Sequence, residues 1–446
     1  MSKAKKKKSS RIKKISVENA MLMAVEVHKR GMLGEAESIY RDVLRVIPDH
    51  PDATHYLGVA LHQGGDSESG LREILRSLEV APNQPDALNN LGNIYKEMGR
   101  LEEAEGAYRK VLELASGHAD AWVNLGIVLR DLKQPDAALE KLFRALELNP
   151  KHPDAYHNLG NVYRDLDRID EALAAYERSA ELAPLHEEAP KAIAKLQFNL
   201  GRKEQAIRTI QNWIIRRPDD AVARHLLAAY SGENIPVRAS NSYVRQSFDS
   251  FSKSFDEVLT RLEYKAPDLV AARTSQVLSG LGRQFNILDI GCGTGLCGPL
   301  LKPLAVSLTG VDLSPGMLDM ARKRGVYDVL EEAELTAFMQ DNPGQFDVVT
   351  CVDTFVYFGD LSGAFVACSR TLGSGGWLFF TVEQHGAEEN SSGYWLRPHG
   401  RYSHTREHLE DLLTNAGLTV ESSEDVILRK EGGKPVSGLL FSAQKR

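Results

Sequence analysis

Residues 286–298 read NILDIGCGTGLCG and decide the fold of the second half of the chain. A short apolar run is followed at once by four glycines, Gly291, Gly293, Gly295 and Gly298. Glycine loses more conformational entropy on folding than any other residue, so four of them carry a cost. A ligand that needs close approach to bare backbone would offset that cost. The stretch therefore predicts a buried strand that runs into a ligand-binding loop.

Strand, turn and helix patterns alternate after this loop. The second strand ends at Asp312, a later strand begins at Phe346, and two final strands flank the pair Gly432–Gly433. Such alternation predicts a mostly parallel, doubly wound α/β sheet, here with an antiparallel edge. Ligands bind such sheets at the carboxyl ends of the strands, where the strand order switches.

The glycine loop and Asp312 together indicate a nucleoside cofactor, because a carboxylate there can accept hydrogen bonds from both ribose hydroxyls. The last three glycines form G-x-G-x-x-G, a dinucleotide fingerprint. Asp289 and Gly291 extend the pattern to D-x-G-x-G-x-G. A pyrophosphate disfavours a nearby carboxylate, whereas the sulfonium and amino groups of S-adenosylmethionine suit one. The longer pattern, with S-adenosylmethionine as the cofactor, is therefore favoured over the dinucleotide fingerprint.

The extended pattern resembles the first motif of class I S-adenosylmethionine-dependent methyltransferases. The segments TGVDLSPGMLDMAR and FDVVTCVDTFVYFGDL resemble the second-strand and fourth-strand segments of that class. The resemblance covers residues 285–446 and implies a Rossmann-like fold. The cofactor-binding residues that it implies are Asp289, Gly291, Cys292, Gly293, Thr294, Gly295, Asp312, Leu313, Glu334, Leu335, Cys351 and Asp353.

Methyl transfer requires a general base only where the acceptor arrives protonated. The segment RPHGRYSHT, after the fifth strand, is dense in titratable groups. Candidates in and before this segment are Glu383, His385, His399, Tyr402 and His404. Of these, Glu383, Tyr402 and His404 are predicted to be catalytic. The alternative is an ordinary surface loop in which Thr405 caps the next helix.

Missing motifs narrow the substrate. The fourth strand ends in CVDTFVYF, without the (D/N/S)-P-P-(Y/F) motif used on amino groups of adenine, cytosine or glutamine amides. The fourth strand is not followed by a Pro-Cys pair, so methylation at C5 of cytosine is not expected. The sequence also lacks a cluster of His and carboxylate residues that would predict a metal-dependent methyltransferase. The expected acceptor is an oxygen or nitrogen atom of a protein side chain or a small molecule.

The first half of the chain is a repeat array. Units with a period of 34 residues begin at Val17, Pro51, Pro85, Ala119, Pro153 and Glu187. Each unit predicts a helix–turn–helix, and the small residues Gly92, Gly126 and Gly160 predict close approach of paired helices. The period and its Leu-Gly, Tyr, Ala and Pro positions resemble the tetratricopeptide repeat family. Residues 221–230 predict one extra helix that caps the array.

Asn90, Asn124 and Asn158 recur at one position of successive repeats. Asparagine can hydrogen-bond both the N–H and the C=O of a peptide. By resemblance to related repeat proteins, these residues would clamp a protein or peptide on the concave face of the array. Alternatively, asparagine is simply the common residue there and stabilises the fold. Both interpretations stay open.

These patterns divide the 446 residues into a disordered basic tail (1–16), repeats (17–230), a linker (231–242) and a methyltransferase domain (243–446). The net charge of −7 makes nucleic acid an unlikely partner, apart from contacts of the Lys-rich tail. No apolar run approaches the roughly 20 residues of a membrane helix. The four cysteines fit neither a zinc site nor a disulfide framework, which predicts a cytoplasmic location.

The sequence thus predicts an S-adenosylmethionine-dependent methyltransferase whose repeats recruit a protein or peptide partner. The second half resembles methyltransferases that carry such repeats. Two alternatives remain, an interaction scaffold with a non-catalytic methyltransferase-like domain and a small-molecule methyltransferase. A nicotinamide-dependent oxidoreductase would need a catalytic His/Asp or Tyr/Lys set in a substrate domain, and none is evident.

Overall fold

The computed structural model describes residues 16–249, 252, 254–385 and 393–446. The predicted disordered tail, residues 1–16, lies outside this range except for Ser16. The chain forms two compact units, of which the first ends at Ile193 and the second begins at Ala194. Within the described ranges, no helix combines the length and apolar character that crossing a bilayer requires.

The repeats form consecutive pairs of helices, and the two helices of each of the first five pairs are in contact. The helices are α1 (Val17–Lys29), α2 (Leu33–Val46), α3 (Pro51–Gln63), α4 (Ser67–Val80), α5 (Pro85–Glu97), α6 (Leu101–Leu114), α7 (Ala119–Asp131), α8 (Pro135–Leu148), α9 (Pro153–Asp165), α10 (Ile169–Leu182), α11 (Glu188–Asn199), α12 (Lys203–Arg216) and α13 (Ala221–Ser231). Pro51, Pro85 and Pro153 lie in the first turn of their helices, where a missing N–H costs nothing.

Glycine allows the helices of a pair to approach closely. A Cβ atom at Gly92 would lie 2.6 Å from the ring of Tyr108, and one at Gly160 would lie 2.5 Å from the ring of Tyr176. Both tyrosine rings are fully buried. A Cβ at Gly126 would likewise overlap a leucine of the paired helix. The close approach predicted from these three glycines is confirmed.

Among the described residues, the second unit contains a mixed sheet of nine strands. They are β1 (Phe285–Ile290), β2 (Ala305–Asp312), β3 (Val329–Glu332), β4 (Phe346–Cys351), β5 (Leu372–Gln384), β6 (Tyr394–Leu396), β7 (Tyr402–His404), β8 (Leu418–Glu431) and β9 (Lys434–Lys445). The order is β3-β2-β1-β4-β5-β7-β6, and β9 pairs with both β5 and β8. Strands β1 to β5 are parallel neighbours. The chain winds to one side of β1 through β2 and β3 and to the other through β4 and β5, which confirms the doubly wound prediction.

The remaining helices cover the sheet. They are α14 (Asn241–Asp249), α15 (Phe255–Arg261), α16 (Ala266–Leu278), α17 (Gly298–Leu301), α18 (Pro315–Arg324), α19 (Leu335–Asp341), α20 (Ser362–Thr371) and α21 (Arg406–Asn415). Apolar residues of α19, α20 and α21 form one core with the strands. Residues of α16 and α17 form another core with them.

The antiparallel edge of the sheet is the hairpin of β8 and β9. Gly432 and Gly433 connect the two strands with φ values of 56° and 77°. Two consecutive positive φ values are typical of the tight turn that a Gly-Gly pair favours. The predicted antiparallel edge is therefore confirmed.

A further apolar core lies within the second unit and includes the last repeat helices. It joins α12 and α13 to α14 and to the β6–β7 hairpin, through Ile210, Trp213, Leu226, Tyr243, Leu396 and Tyr402. The predicted linker, residues 231–242, is bonded to the sheet domain as well. The N–H of Ala239 donates to the carbonyl of Tyr357 over 2.8 Å, and the N–H of Gly359 donates to the carbonyl of Val237 over 2.9 Å.

Candidate active site

A cavity of about 310 Å³ lies where β1, β2 and β4 end. This is the position at which the strand order switches, and the volume is in the usual range for small-molecule sites. Helices α14 and α15 provide an apolar wall, formed by Val244, Phe248, Phe255, Val258 and Leu259. The cavity therefore combines a polar rim at the strand ends with an apolar cover.

The glycine loop after β1 presents bare backbone to this cavity. Gly291 has a φ of 66°, and a Cβ there would lie 2.1 Å from the hydroxyl of Thr354. Gly293 has a φ of 55°, and a Cβ there would meet no atom within 4 Å. Because Gly293 lines the cavity, a side chain at this position would occupy space that a ligand could fill. Gly291 is thus required by packing, and Gly293 by backbone conformation and access.

The carboxylate of Asp312 is fixed at the edge of the cavity by backbone donors. The N–H of Gly293 donates to Asp312 Oδ2 over 2.9 Å, and the N–H of Ser314 donates to Oδ1 over 2.8 Å. Burial raises the pKa of Asp312, and these backbone hydrogen bonds oppose that rise. Each carboxylate oxygen keeps a further lone pair, which suits the paired hydroxyls of a ribose.

Asp289 lies almost completely buried beneath the loop, with 1% of its surface exposed. Tyr327 donates to Asp289 Oδ2 over 2.7 Å, and Thr350 donates to Oδ1 over 2.9 Å. Burial raises the pKa of this carboxyl to about 6, although the two hydroxyls oppose the rise. The ring of Tyr327 also packs against Gly295, where a Cβ would lie 2.9 Å away. Asp289 and Tyr327 thus support the loop from below.

All of the predicted cofactor-binding residues except Gly295 and Cys351 line the cavity. Cys351, the last residue of β4, is fully buried in the core that the strands share with α20. Glu334 accepts a hydrogen bond from the N–H of Ala337 over 2.9 Å and so caps α19. It also lies 3.4 Å from the guanidinium of Arg238.

A cluster of five ionised groups, called here the ion cluster, forms another part of the site. Its members are Asp353, Glu383, Arg401, Arg429 and Glu431. Arg429 is 4% exposed and donates to Asp353 Oδ2 over 2.6 Å, to Glu431 Oε1 over 2.7 Å and to Glu383 Oε1. Arg401 donates to Glu383 and Glu431. Buried charges require such pairing. Moving one ion out of water costs several kcal/mol, and only the attraction of a well-placed opposite charge offsets that cost.

Tyr402 and His404, both predicted to be catalytic, do not line the cavity. Both are fully buried, in the β6–β7 hairpin that pairs with β5 in the sheet. Tyr402 donates to the carbonyl of Pro236 over 2.6 Å, and His404 Nε2 donates to the carbonyl of Gly359 over 3.1 Å. Burial raises the pKa of Tyr402 and lowers that of His404 to about 4. These side chains hold the hairpin in place.

Glu383 is also badly placed to act as a base. It is 4% exposed and does not line the cavity. Burial raises its pKa, but Arg401, His399 and Arg429 outweigh burial and lower it below the usual range. A carboxylate that binds two guanidinium groups and stays ionised takes up a proton poorly. The prediction that Glu383 is catalytic is therefore not supported, and its observed contacts are those of a structural ion pair.

Several cavity residues were missed from the sequence. They are Arg238, Tyr264, Thr354, Tyr357, Arg401 and Arg429. Arg429 follows the apolar run VIL of β8, and this interruption is the one local signal that could have marked it. Among the described residues, no group of His, Cys, Asp or Glu could hold a metal ion.

Comparison with known families agrees with this geometry. Residues 243–423 match the methyltransferase domain family. Residues 83–151, 117–184 and 163–230 match tetratricopeptide repeat families. The chain is therefore a tetratricopeptide-repeat array followed by a methyltransferase domain, as the sequence predicted. The methyltransferase match implies S-adenosylmethionine as the methyl donor.

Individual relatives match parts of the chain. Ubiquinone biosynthesis O-methyltransferase from Thiobacillus denitrificans is 31% identical over 110 residues, which are 23% of this chain and 46% of that protein. Methyltransferase-like protein 27 from Homo sapiens is 36% identical over 124 residues, 27% of this chain and 48% of that protein. The chain thus spans about half the length of the curated relatives it matches. The solved pilF protein of Pseudomonas aeruginosa is 19% identical, with a TM-score of 0.41, over 48% of this chain and 96% of that one.

Proposed function

We propose that the second half of the chain transfers a methyl group from S-adenosylmethionine to an oxygen or nitrogen atom of an acceptor. One observation carries this proposal: the bare backbone of Gly293 and the carboxylate of Asp312 face the same cavity and are hydrogen-bonded to each other over 2.9 Å. This arrangement offers backbone to the methionine part of the cofactor and a carboxylate to its ribose. The chemistry of these donors and acceptors fits S-adenosylmethionine.

The residues that line the cavity would have separate roles in binding the cofactor and the acceptor. When bound, the cofactor supplies a methyl group activated by a sulfonium. Asp312 holds the ribose, and Glu334 and Leu335 lie beside it on the cavity wall to flank the adenine. The apolar wall from α14 and α15 excludes water, and the cavity holds the acceptor in line with the methyl group.

The acceptor would contact the ion cluster and its neighbours. The titratable groups in this part of the cavity include Asp353, Arg401 and the phenols of Tyr264 and Tyr357. Asp353 has a φ of 50°, a strained conformation of the kind that collects at functional sites. We propose Asp353 as the group that accepts a proton from an acceptor that arrives protonated. The names of the O-methyltransferase relatives favour oxygen as the attacked atom.

We further propose that the repeats recruit the acceptor as a protein or peptide. Asn90 bonds to His55 over 2.9 Å, and Asn124 donates to Asn89 over 3.2 Å. Asn158 instead donates to the carbonyl of Asp154, within its own helix, over 2.8 Å. The first two bonds connect neighbouring repeats, so these asparagines also stabilise the array. All three residues are half-buried, so each keeps part of its surface accessible to a peptide.

Calorimetric titration of the full chain with S-adenosylmethionine, S-adenosylhomocysteine and NADH tests the cofactor. We expect binding of the two sulfur nucleosides, weakened at least about tenfold by Asp312→Ala, a loss of about 1.4 kcal/mol. Asp319→Ala is the matched control, because Asp319 is exposed on α18 and forms a surface ion pair with Arg322. Binding of neither nucleoside would leave the scaffold alternative, and binding of NADH alone would indicate an oxidoreductase.

Transfer of a tritiated methyl group into cell lysate tests the acceptor class. We expect label in the protein fraction, and less of it when Asn90, Asn124 and Asn158 are replaced together by alanine. Asn212→Ala, an exposed change on α12, is the control and should leave incorporation unchanged. Label confined to small molecules, or incorporation that the triple variant does not lower, would contradict recruitment through the repeats.

A further inference from the structure

Helix α13 touches the methyltransferase domain through a buried histidine. His225 Nε2 donates to the carbonyl of Gly400 over 2.8 Å, and both residues are buried. The ring of Tyr243 packs against the imidazole at a tilt of 31°, with 4.0 Å between ring centroids. Residues 163–230, which include His225, match the tetratricopeptide repeat family. A residue of the repeat array therefore hydrogen-bonds to one peptide group of the methyltransferase domain, inside the same compact unit.

The peptide group that His225 binds belongs to the tight turn between β6 and β7. The N–H of Gly400 donates to the carbonyl of Arg397, and the N–H of Arg397 donates to the carbonyl of Arg401, each over 2.8 Å. Gly400 has a φ of 89°, and a Cβ there would lie 2.4 Å from the hydroxyl of Tyr243. The turn is therefore closed by its own backbone and seated against Tyr243 and His225.

Arg401 follows Gly400 directly and connects this turn to the active site. Its guanidinium lines the cavity and binds Glu383 and Glu431 of the ion cluster. A shift of the Gly400 peptide moves the Cα atom of Arg401, because consecutive residues share a planar peptide bond. A displacement of the peptide group that His225 binds is thus transmitted to a cavity residue through one peptide bond.

We propose that α13 positions the acceptor part of the cavity, with His225 as the positioning residue that holds the turn of residues 397–401 and thereby places Arg401. The assignment of Arg401 to an acceptor rests on the proposed function, whereas the mechanical link does not. A partner bound to the last repeat helices would then act on acceptor binding through this turn, without a change in cofactor affinity.

Hydrogen exchange of the full chain, followed by mass spectrometry, tests the link in four proteins. His225→Leu keeps apolar bulk and removes the donor, His225→Gln keeps an N–H donor, and Arg224→Ala changes an exposed neighbour on α13. We expect His225→Leu to raise exchange of amides in residues 394–404 about tenfold and to leave the glycine loop unchanged. His225→Gln should restore most of the protection, and Arg224→Ala should behave as the parent chain. The affinity for S-adenosylhomocysteine should stay within twofold throughout.

Unchanged exchange in residues 394–404 of folded His225→Leu would overturn the proposal. Equal loosening of the glycine loop would also overturn it, because the effect would then be general destabilisation. Failure of both His225 variants to fold would assign the residue to stability and end the positioning role. Exchange needs no cofactor, so a chain that shows the local effect but binds no S-adenosylhomocysteine would refute the proposed function and leave this link intact.

Discussion

The two glycines at the start of the loop should respond differently to the same substitution. Gly293→Ala places a methyl group in open cavity space, whereas Gly291→Ala places one 2.1 Å from Thr354. Both positions have positive φ values, which cost alanine about 1–2 kcal/mol. For Gly293→Ala this is the whole folding cost, and a unit of this size should lose roughly 2–4 °C in Tm per kcal/mol. Gly291→Ala adds a clash with a neighbour that is itself held in place.

Ligand affinity separates the two variants further. A methyl group at residue 293 enters space that the cofactor needs, and overpacking of this kind typically costs about 1–3 kcal/mol. The Kd for S-adenosylhomocysteine should therefore rise about 5- to 150-fold in Gly293→Ala. Calorimetric titration gives the Kd, and differential scanning calorimetry gives the Tm. Parental affinity in Gly293→Ala would refute the claim that this glycine faces the cofactor, and parental stability in Gly291→Ala would refute the packing requirement.

Other consequences can be measured on the same chain. Asp289 has a pKa raised by burial from 3.8 to about 6, so its contribution to stability is complete below about pH 4 and is lost as the pH rises through 6. Urea unfolding should show the parent losing up to about 3 kcal/mol relative to Asp289→Asn over that range, and parallel pH profiles would contradict this. Gly92→Ala should destabilise the repeats by about 1–3 kcal/mol, because its Cβ overlaps Tyr108. Gly106→Ala, on the paired helix with no atom within 4 Å, should stabilise them by about 0.5–1 kcal/mol in thermal unfolding, and equal effects would contradict the packing argument.

Local sequence patterns predicted the parts of the structure that depend on neighbouring residues. The helix pairs follow from a fixed period, and the hairpin of β8 and β9 follows from Gly432–Gly433 between two apolar runs. The glycine loop and Asp312 follow from one rule about where parallel strands end. In each case the backbone conformation is set within a few residues, so the pattern carries the information.

The acceptor part of the site depends on contacts that no local pattern encodes. Arg429 reaches Asp353 and Glu383, which are 76 and 46 residues away in the chain. Conversely, the dense run of titratable groups around Tyr402 and His404 suggested catalysis, but the hairpin buries both side chains against backbone carbonyls. Residue type alone does not reveal whether a side chain faces a cavity or a core. That difference was decided by strand pairing at the end of β5.

The triple engagement of Arg429 limits how the acceptor site can change during evolution. Loss of this arginine would remove the ion-pair partner of Asp353 and one of the partners of Glu383 and Glu431, and loss of any one carboxylate would remove the acceptor of a guanidinium donor. Single substitutions inside the cluster are therefore costly, whereas the apolar wall formed by α14 and α15 can change one side chain at a time. New acceptor preferences should arise first in that wall, with the charged cluster inherited as a block.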